Sequence, residues 1–195
     1  MTKILLREII KCNDEQKRAI LEIRNKKSVR QFMYTDHEIS PKEHAEWVEN
    51  LKSDNQQIVF VVFVDKLVCG SVSVNAIDRI HLKSNWSLYL DEKIRGGVVA
   101  AIEFSFINFV FRKLGLEKLN CEVIQTNENV VKLHKKFGFL EEGFKRENII
   151  KNKKRIGVFF LGLTKSDWKK SEKNVKKLYG KIINKFNLEI EYERY

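Results

Sequence analysis

The sequence predicts an α/β domain with a central mixed, mostly antiparallel sheet and helices on both faces. Three observations lead there. Stretches with the two-residue period of strands recur along the chain, and amphipathic stretches of helical period fall between them. Two pairs of strand-like runs are joined by short turns, so each pair reads as a hairpin. A length of 195 residues, 43% of them hydrophobic, with one proline, suits one folded domain with an appendage. No internal repeat is visible.

Taken in order, Lys3–Lys11 reads as a strand. Asp14 is the expected N-cap of a helix carrying Ala19, Ile20 and Ile23 and ending near residues 24–27. A short polar helix is expected over Ser28–Tyr34. Ser40-Pro41 with Glu43 opens another, with Ser as cap and Pro at the first helical position. Its apolar face is Ala45, Trp47, Val48 and Leu51. Ile58–Val64 and Leu67–Ile77 form a hairpin about Asp65-Lys66, and Asn85–Leu90 is a further strand. A turn-rich loop, Asp91–Gly97, then runs into the apolar helix Val98–Leu114, with Gly115 at its C-cap.

Within Lys118–Phe139, Leu119, Cys121 and Val123 alternate with Asn120, Glu122 and Ile124, the period of a strand. Val130, Leu133, His134 and Phe137 fall on one face of the helix that follows. Two ionisable groups, Glu122 and His134, are thereby expected to point inward. Residues 143–150 and 155–163 close a hairpin about Lys151–Lys154. Residues 1–168 are read as the domain, and 169–195 as a lysine-rich amphipathic helix and tail. The stripe of that helix (Trp168, Val175, Leu178, Tyr179, Ile182, Ile183, Phe186) would dock on the domain, on a second subunit of a homodimer, or on an anionic membrane surface.

The formal charge of +11 invites a polyanionic partner. The lysines are spread along the chain, however, and no nucleic-acid motif accompanies them, so nucleic acid is not the expected partner. Three widely separated cysteines without metal-ligand spacing argue for a reducing, cytoplasmic setting and no metal. No signal segment precedes the first strand. The longest apolar run, Val98–Phe111, is broken by Glu103 and Asn108 and is too short to span a bilayer.

Glycines between a strand and a helix start allow an anion to approach free backbone N–H groups, and Arg95, Gly96, Gly97 and Val98 would form such a cradle. Beyond it, a strand bearing Glu122 is followed by Asn127, Leu133-His134, Lys136, Gly138-Phe139 and Gly143. This pattern resembles the GCN5-related N-acetyltransferase (GNAT) family over roughly Ile58–Leu163. The resemblance implies that the strands Trp86–Leu90 and Leu119–Gln125 splay apart, with acetyl-CoA as co-substrate in the gap. Its pantetheine arm would bond backbone groups of Leu88, Tyr89 and Leu90 and the side chain of Asn127. Its pyrophosphate would rest on residues 95–98, and Lys135 is read with the same cofactor-binding set. The phosphate loop departs from the family pattern, keeping only Gly97 of its signature positions.

Further matches, Leu21-Glu22-Ile23-Arg24-Asn25, Val29-Arg30 with Met33-Tyr34, and Ile39-Ser40 with Glu43-His44 and Trp47, resemble one branch of that family. That branch acetylates the 4-amino group of a UDP-linked 4-amino-4,6-dideoxy-N-acetyl-altrosamine in pseudaminic acid synthesis. A UDP-amino-sugar is the acceptor this implies. Arg24 and Lys26 would meet its phosphates, and Met33, Tyr34 and Trp47 would stack on uracil or the deoxy-sugar. Plain core packing for Trp47 and a helix-end charge for Arg24 are the alternatives.

Transfer to an amine needs a base, an oxyanion site and an acid for the departing thiolate. Glu122 is the candidate base, directly or through water. An ordinary Glu titrates at about 4.3, so partial burial is expected to raise it. A backbone N–H from Leu88–Leu90 would polarise the thioester oxygen. His134 stands where most of the family has a proton-donating tyrosine, and it serves either as that acid or as a neutral residue positioning the thiol. Tyr34 and Tyr89 are reserve acids. The alternatives are a GNAT enzyme for another amine, such as a protein N-terminus or an aminoglycoside, and a non-catalytic nucleic-acid-binding basic domain.

Overall fold

The chain runs β1 (Thr2–Glu8), a 3-10 turn (Ile9–Lys11), α1 (Asp14–Asn25), α2 (Lys27–Arg30), α3 (Pro41–Asn50), β2 (Ile58–Val64), β3 (Leu67–Asp78) and β4 (Lys83–Leu90). It continues through α4 (Val98–Asn108) with a π turn (Phe109–Lys113), β5 (Lys118–Ile124), α5 (Glu128–Lys136), β6 (Leu140–Lys151), β7 (Lys154–Thr164), α6 (Lys165–Ile183) and β8 (Phe186–Glu191). This computed structural model describes residues 1–94 and 97–193; the expected cradle residues Arg95 and Gly96 lie outside the described residues. The strands form one sheet in the order β6-β7-β5-β4-β3-β2-β1-β8, antiparallel except at β4–β5 and β1–β8. The expected mixed, mostly antiparallel α/β architecture is therefore the one observed.

Strand β2 shows why helices lie on both sides. Its sequence IVFVVFV is apolar at every position because both of its faces are covered. Ile58, Phe60 and Val62 join the core beneath α4, α5 and α6, whereas Val59, Val61 and Phe63 pack with Ile20 of α1 and Val48 of α3. The hairpin turns are equally local in origin. Asp65 and Lys66 (φ +46° and +74°), like Asn152 and Lys153 (φ +49° and +62°), are consecutive left-handed residues, which suits the twist of two-residue hairpins.

Several element ends differ from the sequence reading. The cap of α1 is Asn13, one residue before Asp14: its side chain accepts from Gln16 N–H while the Gln16 side chain accepts from Asn13 N–H. The helix expected over Ser28–Tyr34 is only the single turn of α2. The Ser40/Glu43 capping box is formed as expected, but α3 buries His44 in place of the exposed Ala45.

Helix α4 is apolar all round because α6 covers its outer side, running antiparallel to it. Near the end of α4, Trp168 Nε1 donates to Asn108 Oδ1 at 3.1 Å. Near its start, Ile182 packs on Gly97. The chain then turns into β8, which pairs with β1 from Thr2 to Arg7 and extends the sheet. Phe186, Leu188 and Ile190 alternate inward there, a strand period hidden in a stripe that had been read as helical to Phe186. The carboxy-terminal segment is thus docked on its own chain.

A Cβ on Gly97 would lie 1.7 Å from Cγ2 of Ile182, whose branched side chain has little room to turn away. Gly97→Ala is expected to destabilise the protein by about 1–3 kcal/mol. In the Ile182→Ala background the same change should cost much less, giving a favourable coupling in a urea-denaturation double-mutant cycle. Simple additivity would show that this contact does not constrain the fold.

Candidate active site

Strands β4 and β5 pair through only three positions, Lys83–Asn85 with Lys118–Asn120, and then part. A cavity of about 550 Å³ fills the opening, walled by Trp86–Leu90 of β4, residues 121–124 of β5, Asn127, and Leu133 and His134 of α5, and by residues around α2. The polarity of the β4 wall follows from its other ladder. Asp91 N–H donates to the Cys69 carbonyl, and the register places Tyr89 opposite Ser71. Antiparallel alternation therefore aims the backbone groups of Ser87 and Tyr89 at β3, and those of Trp86, Leu88 and Leu90 into the gap. Buried N–H and C=O groups require partners, and an extended amide-bearing arm would provide them. Of the three residues expected to bond the cofactor, Leu88 and Leu90 offer N–H groups to the gap and Tyr89 does not. Asn127 caps α5 through its backbone carbonyl, which accepts from Val130 and Val131. Its side chain makes no capping bond and lies on the cavity wall.

The two expected proton carriers lie on opposite sides of the gap. Strand β5 buries Leu119, Cys121 and Val123 beneath α4 and α5, so Glu122 turns to the other face. It is exposed there, which corrects the expectation of partial burial, and the Tyr34 hydroxyl donates to its Oε2. On the α4–α5 side, His134 is buried against the rings of Trp86 and Phe139, each with its centroid 5.2 Å away, and those two rings stack on each other. His134 Nδ1 lies 2.7 Å from Oε1 of Glu103, a fully buried carboxylate on α4. In the sequence Glu103 is visible only as an interruption of an apolar run.

Burial, reinforced by Glu122, pushes the Tyr34 phenol well above its ordinary value, and burial pushes Tyr89 up to about 12 despite the nearby Arg24. Both reserve acids are thus poorer donors than an ordinary tyrosine. Cys121 lines the same cavity, but burial and then Glu103 push its thiol far upward. A raised thiol pKa leaves little thiolate, which makes Cys121 a poor nucleophile.

The remaining expected residues are dispersed. Met33 lines the cavity, joined by Phe32, which the sequence reading passed over. Arg24 is off the cavity, its Nη2 donating to Thr35 Oγ1 at 2.9 Å, with its pKa lowered by burial. Lys26 is engaged by Asp91 at 2.6 Å. Trp47 packs against the core cluster under α1 and α3, away from the cavity. Lys135 is on the outer face of α5, paired with Glu141 at 2.7 Å. Val98 is a core residue, and Gly97 borders a second groove of about 790 Å³. That groove shares Val99 and Leu133 with the first cavity and has Tyr179 and Ile182 of α6 in its wall. Among the described residues no cluster of His, Cys, Asp or Glu is arranged to hold a metal, and no helix is long and apolar enough to cross a membrane.

Lys151 was also passed over. It is buried at the end of β6, where Nζ donates to the carbonyls of Arg30 and Met33 and meets Asp36 Oδ1 at 2.7 Å. Nothing in a turn-flanking lysine signals this, yet it anchors the segment that carries Met33 and Tyr34. Lys151→Met should raise KM for the amine acceptor about tenfold and leave that for acetyl-CoA within about threefold in two-substrate steady-state kinetics. Equal effects on both substrates would argue against a local role.

All three thiols are buried and raised, Cys12 to about 11. A raised thiol pKa means less thiolate at a given pH, so at pH 8 the native protein should be nearly inert to a disulfide reagent, with all three thiols reacting after denaturation. A fast-reacting native thiol would contradict the burial and raised pKa of that cysteine.

Comparison with known proteins agrees with this geometry. Residues 9–158 match the acetyltransferase (GNAT) domain family. Acetyltransferase PseH of Campylobacter jejuni is 27% identical over 140 residues, covering 70% of this chain and 84% of that protein. An uncharacterized prophage-derived N-acetyltransferase, YokL, of Bacillus subtilis is 26% identical, covering 64% and 71%. Among solved structures, a spermidine N-acetyltransferase from Vibrio cholerae in complex with CoA and spermine superimposes with a TM-score of 0.78 at 23% identity, over 85% of this chain and 97% of that one.

Proposed function

We propose, on the premise that this chain belongs to the GNAT family and is an acetyl-CoA-dependent N-acetyltransferase, that its acceptor is a UDP-linked 4-amino-4,6-dideoxy-N-acetyl-hexosamine of pseudaminic acid biosynthesis. The observation that carries this reading is the similarity to PseH, which extends over most of that protein.

In this reading the acetyl thioester reaches the gap from the α4–α5 side and the amine from the α2 side. The neutral amine attacks the thioester carbon, and one backbone N–H, of Leu88 or Leu90, stabilises the oxyanion. Glu122 accepts the proton lost from nitrogen, directly or through water, with Tyr34 holding its carboxylate. The C–S bond then breaks, and His134 supplies a proton to the sulfur. CoA itself contributes the activated acetyl group; the chain orients it and moves the protons.

A second reading, a polyamine acceptor, is suggested by the name of the Vibrio cholerae structure. Mass spectrometry of products from UDP-amino-sugars, spermidine, a peptide with a free N-terminus and an aminoglycoside, each with acetyl-CoA, separates the readings. The expected product is an acetylated UDP-sugar, with kcat reduced about 10²-fold or more by Glu122→Gln. Preferential acetylation of any other amine would overturn the acceptor assignment.

A further inference from the structure

Resting on the N-acetyltransferase reading, we infer that Glu103 is a positioning residue for the reaction: from within α4 it accepts the Nδ1 proton of His134, so that Nε2 is the nitrogen that hands its proton to the departing thiolate. Glu103 is the one ionisable residue in the helix VVAAIEFSFIN, and its exposure is zero. A carboxylate in such surroundings is costly unless it is fully partnered. Here one oxygen meets only His134 Nδ1, at 2.7 Å, and the other, Oε2, has no partner among the described residues. An apolar residue would serve packing better, so stability does not account for the acid.

The surroundings of the ring point the same way. Trp86 from β4 and Phe139 pack against it, and Glu103 from α4 meets it at Nδ1. His134 is also part of the cavity wall. With the ring held and Nδ1 engaged, Nε2 is the nitrogen left for chemistry, because the hydrogen bond at one ring nitrogen sets the role of the other.

The proton balance is then complete. The imidazolium carries a proton on each nitrogen before the tetrahedral intermediate collapses. As the C–S bond breaks, its electron pair passes to sulfur, the Nε2 proton passes to that sulfur to give the CoA thiol, and the ring is left neutral with its proton on Nδ1. The amine proton has gone to Glu122, and solvent returns His134 to its starting state.

The test combines kinetics with a spectrum of the intact protein. Glu103→Gln is isosteric, and it should lower kcat about 10²-fold or more while KM for acetyl-CoA stays within about threefold. In the wild-type chain with ¹⁵N-histidine, His134 should show a far-downfield Nδ1 proton, assigned by its absence in His134→Phe and shifted upfield in Glu103→Gln. A kcat within about threefold of wild type, or a His134 ring with no proton on Nδ1, would overturn the inference. If Glu103→Gln does not fold, the wild-type resonance decides. Were the wild-type protein to acetylate no amine, the functional reading would fail separately, and the resonance would still decide the Glu103–His134 link.

Discussion

Between β4 and β5 the parallel ladder stops after Asn85 and Asn120, and the site is a consequence of that stop. Had the ladder continued, the backbone groups of Trp86, Leu88 and Leu90 would have been satisfied within the sheet, with none left for a ligand. Each strand tolerates the separation because its other edge remains paired, β4 with β3 as far as Leu90 and β5 with β7 as far as Ile124. The sheet therefore stays continuous in its topology while opening in the middle, and the opening is lined on one side by unpaired peptide groups. Such a wall suits an extended, amide-bearing cofactor arm, which can complete the ladder that the protein leaves unfinished.

Because the opening passes through the sheet, it has two mouths of different character. The alternation of β5 sends Cys121 to one and Glu122 to the other. On one side a buried carboxylate–imidazole pair packs against stacked aromatic rings; on the other an exposed carboxylate meets a phenol of the segment anchored by Lys151. Separation matters chemically. Groups on opposite sides of the gap can act on two different atoms of a reaction in turn, which a single contacting pair cannot do.

What could be read from the sequence was whatever is determined locally. The strand run of β2, the hairpin at Asp65-Lys66 and the Ser40 cap each depend on residues a few positions apart, and each is formed. Two-residue alternation also showed that Glu122 and Cys121 occupy opposite faces of β5. It could not show which face the helices cover, and so the burial expected of Glu122 was misplaced. Glu103 and His134 are 31 positions apart on different helices, and Lys151 lies 115 positions from Asp36. Contacts of that kind arise from packing and leave no periodic trace. The same limit hid β8, whose short alternation continued a helical stripe without a visible break.

The carboxy-terminal segment also changes the weight of one motif. Gly97 is the signature position of the phosphate loop that this chain retains, and the resemblance alone ties it to the approach of a pyrophosphate. The structure supplies a second and sufficient cause. Ile182 of α6 occupies the space a side chain at Gly97 would need, and α6 is held there by a core that includes Val175 and by Tyr179 stacked on Phe137. Glycine at 97 is thus demanded by packing whether or not an anion binds nearby. The case for a cofactor in this protein rests more securely on the parted strands and the open backbone of β4, which no packing requirement explains.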